Sequence, residues 1–236
     1  MSFALLNATG WVGGYDFTTD TNKMSADVTR DLQESTTFGS GGWKARNACL
    51  MDVTGHFEGF WSSTADSEGF SDLGTVDRAV TVSPDGLAGS VAYMCQCAKF
   101  KYSTFGSVGD LTPYALDLSG SNSAGMVRGQ VAKARGSVSA TGALGSALYL
   151  GTVSSTQYVY AAIHIFTAGT TVTIKLQSDD NSGFTSATDV LTIGPLTTTG
   201  GIWMARVAGA KTDTYWRLNA TAITGTFNLA AAIGIQ

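Results

Sequence analysis

The spacing of apolar residues most constrains this chain, because they recur at every second position in one short run after another. Met51, Val53, Phe57 and Trp61 would share one side of an extended strand, with Asp52, Thr54, His56 and Glu58 on the other, since successive strand side chains point to opposite faces. Val172, Ile174 and Leu176 alternate with Thr171, Thr173 and Lys175. Trp216, Leu218 and Ala220 alternate with Tyr215, Arg217 and Asn219, and Phe227, Leu229, Ala231, Ile233 and Ile235 line one face of the last segment. The run Tyr158 to Phe166 is apolar almost throughout, the pattern of a central strand covered on both faces. Turn chemistry separates these runs. Ser83-Pro84-Asp85-Gly86 sets Pro where its fixed φ starts a turn, and Asp179-Asp180-Asn181-Ser182-Gly183 is a second strong turn. No window carries a long 3.6-residue period, and the one short helix expected lies near Ser67–Arg78. The expected class is mainly β, an antiparallel sandwich or barrel with at most one or two short helices.

Composition agrees and adds a surface argument. Glycine is abundant at 29 residues and charged residues make up only 14%, against about 25% in ordinary soluble domains. Glycine-rich turns between strands account for the first, and a surface covered by partners accounts for the second. The net charge is −4 with no Lys/Arg cluster, so the electrostatic footprint of a sequence-specific nucleic-acid binder is missing. No stretch of about 18 apolar residues occurs and the N-terminus lacks a basic, apolar leader. The expectation is therefore no membrane insertion and synthesis in the cytoplasm. Cys49, Cys95 and Cys97, an odd number, read as reduced thiols.

Catalytic chemistry finds little to work with. The two histidines are His56 and His164. No His-Glu-x-x-His, Cys-x-x-Cys, nucleophile elbow or Walker loop is present. His56 and Glu58 share a strand face and superficially suggest a general-base pair; the simpler reading is a solvated polar face. His164, inside the most apolar run, reads as a satisfied core or interface histidine. Cys95-x-Cys97 reads as two small apolar residues packed in a sheet. The oxygen ligands of Ser178–Gly183 lack the spacing of a calcium loop. The expectation is a non-enzymatic protein without cofactor or metal. Among the tryptophans, Trp61 and Trp216 fall on apolar faces and read as core. Trp11 and Trp43 lie in Gly-rich stretches and read as docking residues, for a subunit contact or for a sugar ring.

A weak internal echo sets Tyr15-Asp16-Phe17-Thr18, Met24 and Thr36–Gly41 against Leu116-Asp117-Leu118-Ser119, Met126 and Ala140–Gly145. It suggests two tandem β modules, residues 1–110 and 111–236, the second a possible duplication of the first.

The stretch Tyr15-Asp16-Phe17, Asn22-Lys23-Met24, Thr36-Thr37-Phe38-Gly39-Ser40-Gly41-Gly42-Trp43 and Asp52-Val53-Thr54-Gly55-His56-Phe57-Glu58-Gly59-Phe60-Trp61 resembles the tail-tube (major tail) proteins of long-tailed bacteriophages. Ser83-Pro84-Asp85-Gly86 with Gly89–Tyr93, and Gln177–Asp180 with Asp213–Arg217, are similar to further segments of phage structural proteins. The resemblance implies a tail-tube-type β-sandwich subunit of the virion tail, whose rings stack into a tube for passing DNA. Its partners would be copies of itself, six per ring or three if duplicated, and other tail proteins, with non-specific transit of DNA. Carried over by position, Ser35, Thr36, Thr37, Phe38, Gly39, Ser40, Gly41, Gly42 and Trp43 would form the inter-subunit loop. The polar face Asp52, Thr54, His56 and Glu58 is the candidate lumen lining. The alternatives are a head decoration or coat protein, and a carbohydrate-binding sandwich of a tail fibre.

Overall fold

Alternation of this kind leaves the chain few choices, and its described residues fold as sixteen antiparallel strands and one α-helix. The computed structural model describes residues 7–122, 124–204 and 206–236. The strands are β1 (Thr9–Val12), β2 (Tyr15–Asp16), β3 (Thr21–Glu34), β4 (Arg46–Phe60), β5 (Asp77–Ser83), β6 (Val91–Thr104), β7 (Pro113–Gly120) and β8 (Val127–Val138). They continue as β9 (Gly142–Tyr149), β10 (Tyr158–Thr167), β11 (Thr171–Asp179), β12 (Thr188–Leu196), β13 (Gly200–Trp203), β14 (Val207–Ala208), β15 (Tyr215–Thr224) and β16 (Phe227–Ile235). With 61% strand and 6% helix, the fold is mainly β, as the alternation predicts.

The larger sheet runs β13-β10-β16-β8-β6-β5-β1-β2, with β14 on β10 and a branch from β6 through β7 and β4 to β3. The smaller is β12-β11-β15-β9. Strands from both sequence halves meet in the larger sheet, where β6 pairs with β8 from Val91↔Gln130 to Met94↔Val127. Residues 105–112, around the expected module boundary, connect β6 to β7 of one hairpin.

The helix α1 spans Ser63–Phe70, earlier than the expected 67–78. Ser62 caps its start by accepting from the Ala65 N–H. Left-handed Asp72 and Gly74 stop it (φ 57° and 71°), and from Asp77 the alternation is that of β5.

Three apolar clusters hold the layers. In the first, Val172, Ile174, Leu176, Trp216 and Leu218 of the smaller sheet face Ala161, Ile163, Leu229 and Ile233 of the larger. Each Val, Leu or Ile among them contributes about 1.5–3 kcal/mol on burial. The second cluster gathers Phe17, Val53, Phe57, Tyr114, Leu116 and Leu118 beneath β4 and β7. The third fills the reverse face of β10 and β16, where Tyr160, Ala162, Ala230 and Ala232 meet Trp11, Ala79 and Met94. The larger sheet thus curls until β10 and β13 lie over β1 and β5. Strand β10 is covered on both faces, as its unbroken apolar run predicts: odd residues enter the first cluster and even residues the third. At this seam a Cβ on Gly201 would stand 2.8 Å from the Gly13 Cα, so only glycine permits the approach.

Candidate functional site

Strands β3 and β4 pair from Thr21↔Gly59 out to Glu34↔Arg46, but β7 covers β4 only from Thr54 to Phe60. The hairpin therefore continues past the sheet as a bare two-stranded ribbon. From Asp27 to Asp52 every residue is exposed save half-buried Ser40 and Cys49. Val28, Leu32, Phe38, Trp43, Leu50 and Met51 are among the exposed residues. Its tip is nonetheless tied. Ser35 N–H donates to Ala45 O (2.9 Å) and Trp43 N–H to Ser40 O (3.1 Å), Thr37 N–H donates to Ser40 Oγ (3.0 Å), and left-handed Gly41 (φ 61°) closes the 3-10 turn Phe38–Ser40. The segment Ser35–Trp43 lies at this tip, with Trp43 83% exposed. An isolated two-stranded ribbon is marginal in water, and apolar residues on both its faces raise that cost.

The other end of the same sheet is apolar too. Phe60, Trp61, Phe105, Val108 and Leu111 are all exposed, and Trp61 N–H donates to Thr112 O (2.8 Å), holding the end of β4 beside the β6–β7 turn. Trp61, expected in the core, is 44% exposed because β4 ends at Phe60 and the chain leaves for α1. Trp11 is the opposite correction. Expected in a docking loop, it sits on β1 at 1% exposure, its ring 5.7 Å from His164 and 6.3 Å from Phe166. Its flanking glycines serve close packing: a Cβ on Gly10 would strike the Phe57 ring at 2.3 Å. Met51, expected beside Val53, is exposed because it lies on the ribbon. Among the described residues, sixteen of the seventeen exposed large apolar ones precede position 112; Tyr149 is the exception. This exposed apolar surface is concentrated in the first half of the chain.

Between these two ends lies the four-stranded sheet β3-β4-β7-β6. Among the described residues, strand β3 pairs only with β4 and β6 loses β5 after Ala98, so both sides of the sheet have open edges there. One face packs on the second cluster. The other carries Lys23, Ser25, Thr54, His56, Glu58, Asp117, Ser119 and Lys101, aligned across the ladders. Lys23 Nζ lies 3.0 Å from Glu58, whose other neighbour is His56 Nε2 at 3.4 Å. His56 Nδ1 is 2.6 Å from Asp117, which also faces Lys101 at 3.5 Å. The hydrogen bonds from Lys23 and His56 hold the Glu58 carboxyl below its ordinary range. Thr54, His56 and Glu58 thus share one ionic face, while Asp52 lies just beyond it at the ribbon's base. The sequence reading missed Asp117, Lys101 and Lys23, which join the face only through strand pairing.

The remaining candidates take structural positions. His164 is fully buried at the seam, where its Nδ1–H donates to Gly13 O (2.9 Å) and its Nε2 accepts from Thr81 Oγ1 (2.8 Å). Burial pushes its imidazole down to about 4. Cys95 and Cys97 lie buried with sulfurs 3.3 Å apart. Asp179 accepts from the Asn181 and Ser186 N–H groups, which makes a tight turn. Buried Lys99 donates to Glu68 O, Ser71 O and Ser71 Oγ, pinning the end of α1 to β6. Burial and the neighbouring Arg78 lower its ammonium to about 8. Among the described residues no group of three or more His, Cys, Asp or Glu side chains could hold a metal ion.

No protein-family model matches the chain, and no curated protein does. Among solved structures it is similar to a chain in the virion of a native gene transfer agent particle, at 15% identity, covering 44% of this chain and 82% of that one, with a TM-score of 0.36. It is similar to a chain in the tail of an empty gene transfer agent particle, refined with C6 symmetry, at 14% identity, 48% and 90% coverage, and a TM-score of 0.38. It is also similar to the SPP1 Dit protein, described as a hub of the adsorption apparatus in phages infecting Gram-positive bacteria, at 11% identity, 97% and 99% coverage, and a TM-score of 0.38. Two come from gene transfer agent particles and one from a phage adsorption apparatus, and at these identities and scores the likenesses carry no functional argument.

Proposed function

We propose that this chain is a non-enzymatic structural subunit of a phage tail that assembles into stacked rings forming the tube through which DNA passes. The carrying observation is the ribbon of residues 27–52, which has exposed apolar residues on a tied tip and nothing among the described residues to cover it. At about 3.3 Å per residue its strands extend roughly 25 Å past the sheet. The exposed end patch of Phe60, Trp61, Phe105 and Leu111 is its natural receptor on a second copy. Two different surfaces meeting head to tail make a heterologous contact, which propagates as a filament unless it closes.

Ring closure uses the lateral edges. The free side of β3 on one copy pairs with the open edge of β6 on the next, removing the edge-strand liability of both. The polar face with Thr54, His56 and Glu58 then lines the lumen, with Asp52 at its margin. Positive and negative side chains there are paired across strands, so the lining offers DNA no uncompensated basic stripe to stick to. Residues 1–110 carry the ribbon and most of the end patch, while 111–236 add Leu111, strand β7 with Asp117 of the lining, and the sandwich. One such ribbon per chain among the described residues favours six copies per ring over three.

Replacing the tip, residues 35–45, by an Asn-Gly turn tests the reading. Rings that form but no longer stack support it; full-length tubes from the shortened chain overturn it. Charge reversal at Glu58 and Asp117 should leave assembly intact and impair DNA delivery, whereas failed assembly would put that face in an interface.

A further inference from the structure

A second, unrelated site lies where the two halves of the chain meet. A cleft of about 340 Å³ is lined by Gln96, Asn122, Ala124, Tyr160, Trp203, Met204 and Arg206. Its aromatic wall is continuous: Trp203 and Tyr160 have ring centroids 5.7 Å apart, and Tyr158 stands 6.4 Å beyond Tyr160. The Arg206 guanidinium lies 4.1 Å over the Tyr158 ring, a stacking that leaves its N–H edges free. Across the cleft, Asn122 Oδ1 accepts from the Ala124 N–H (2.9 Å). Its Nδ2 is therefore the donor to Gln96 Oε1 (2.5 Å), and Gln96 Nε2 is unpaired among the described residues.

We propose that this cleft binds an acidic saccharide, a pyranose ring bearing a carboxylate. The apolar face of a sugar ring stacks on an indole, and Trp203 supplies one. The open polar groups assigned here, on Gln96 and Arg206, are donors, so they suit a ligand rich in acceptors. Arg206 is the single charge in the lining and has no ion pair among the described residues. Its planar fork matches a carboxylate. The amide pair positioned by Ala124 fixes the donor that meets the ring hydroxyls. Clefts of this kind, apolar with a few placed polar groups at a junction between modules, are where small ligands bind. Nothing in the site depends on the tube.

Trigalacturonate and maltotriose, a neutral α-1,4-linked trisaccharide of similar size, titrated into the full chain by calorimetry and tryptophan fluorescence, test the proposal. The expected result is saturable binding of trigalacturonate that weakens with salt, with maltotriose at least tenfold weaker. Arg206→Met should weaken trigalacturonate at least tenfold while leaving maltotriose unchanged, and Gln96→Leu should weaken both. Arg206 is exposed, so its variant keeps the fold, which an unchanged thermal melt verifies. Absence of saturable binding, equal affinity for the two probes, or indifference to Arg206→Met would each overturn the assignment.

Discussion

Acid should open the seam through His164, and the size of the effect follows from its surroundings. The imidazole is buried between β10, β5 and the β1–β2 turn. Because Gly13 O can only accept, Nδ1 carries the proton and Nε2 accepts from Thr81, so the neutral ring is fully satisfied. Burial lowers its pKa from 6.5 to about 4. Between those values the unfolded chain binds a proton that the folded chain does not, so stability rises with pH across that window and is lost on acidification. The contribution is complete above pH 6.5 and is lost progressively down to pH 4. Two and a half pH units at about 1.36 kcal/mol each amount to roughly 3 kcal/mol. Denaturant unfolding of wild type and His164→Asn from pH 7.5 to 4.5 isolates this from the carboxylates common to both. The variant should be the less stable at pH 7.5, by about 1–3 kcal/mol for the disturbed hydrogen bonds, and the gap should shrink steadily below pH 6.5. Parallel profiles across that range would refute the assignment of a buried neutral imidazole.

Three further outcomes follow from the packing. Lys99 has a folded pKa of about 8 against 10.5 unfolded, so the unfolded chain binds more protons between those values and stability rises with pH there; denaturant melts from pH 7.5 to 9.5 should show this slope in wild type and lose it in Lys99→Met. Gly201→Ala should cost about 1–3 kcal/mol in a thermal melt, because its Cβ meets backbone at Gly13 and Ala79 Cβ at 3.1 Å. Trp216→Ala should cost about 3–5 kcal/mol, removing a buried ring and its bond to Gly151 O (3.0 Å), whereas exposed Trp43→Ala should leave the melt within about 0.5 kcal/mol and weaken association, measured by sedimentation.

Local pattern was a good guide where both faces of a strand meet the chain's own core. The alternation of β11 and β15 and the unbroken run of β10 each led to the observed burial, and His164 sits where an apolar run would put a satisfied histidine. Pattern failed where burial depends on what comes alongside. Along β4 the alternation is the same before and after Val53, yet β7, some sixty residues later, covers only one part, so Met51 is exposed and Phe57 is buried. Trp11 and Trp43 have similar glycine-rich neighbours. One set of glycines admits the Phe57 ring, while the Gly41 and Gly42 positions meet open space. Only the fold distinguishes those two uses. The ionic face was half legible: Thr54, His56 and Glu58 share a strand, but Lys23, Asp117 and Lys101 arrive from three others. The end patch and the sugar-sized cleft gave no local signal, since each is assembled from separated segments.

Electron microscopy of the purified chain over a concentration series tests the central claim most directly. Stacked rings with six-fold rotational symmetry, growing into tubes as concentration rises and lost when residues 35–45 are replaced, are the predicted result. Dispersed monomers at every concentration, or a compact oligomer that never stacks, would contradict it.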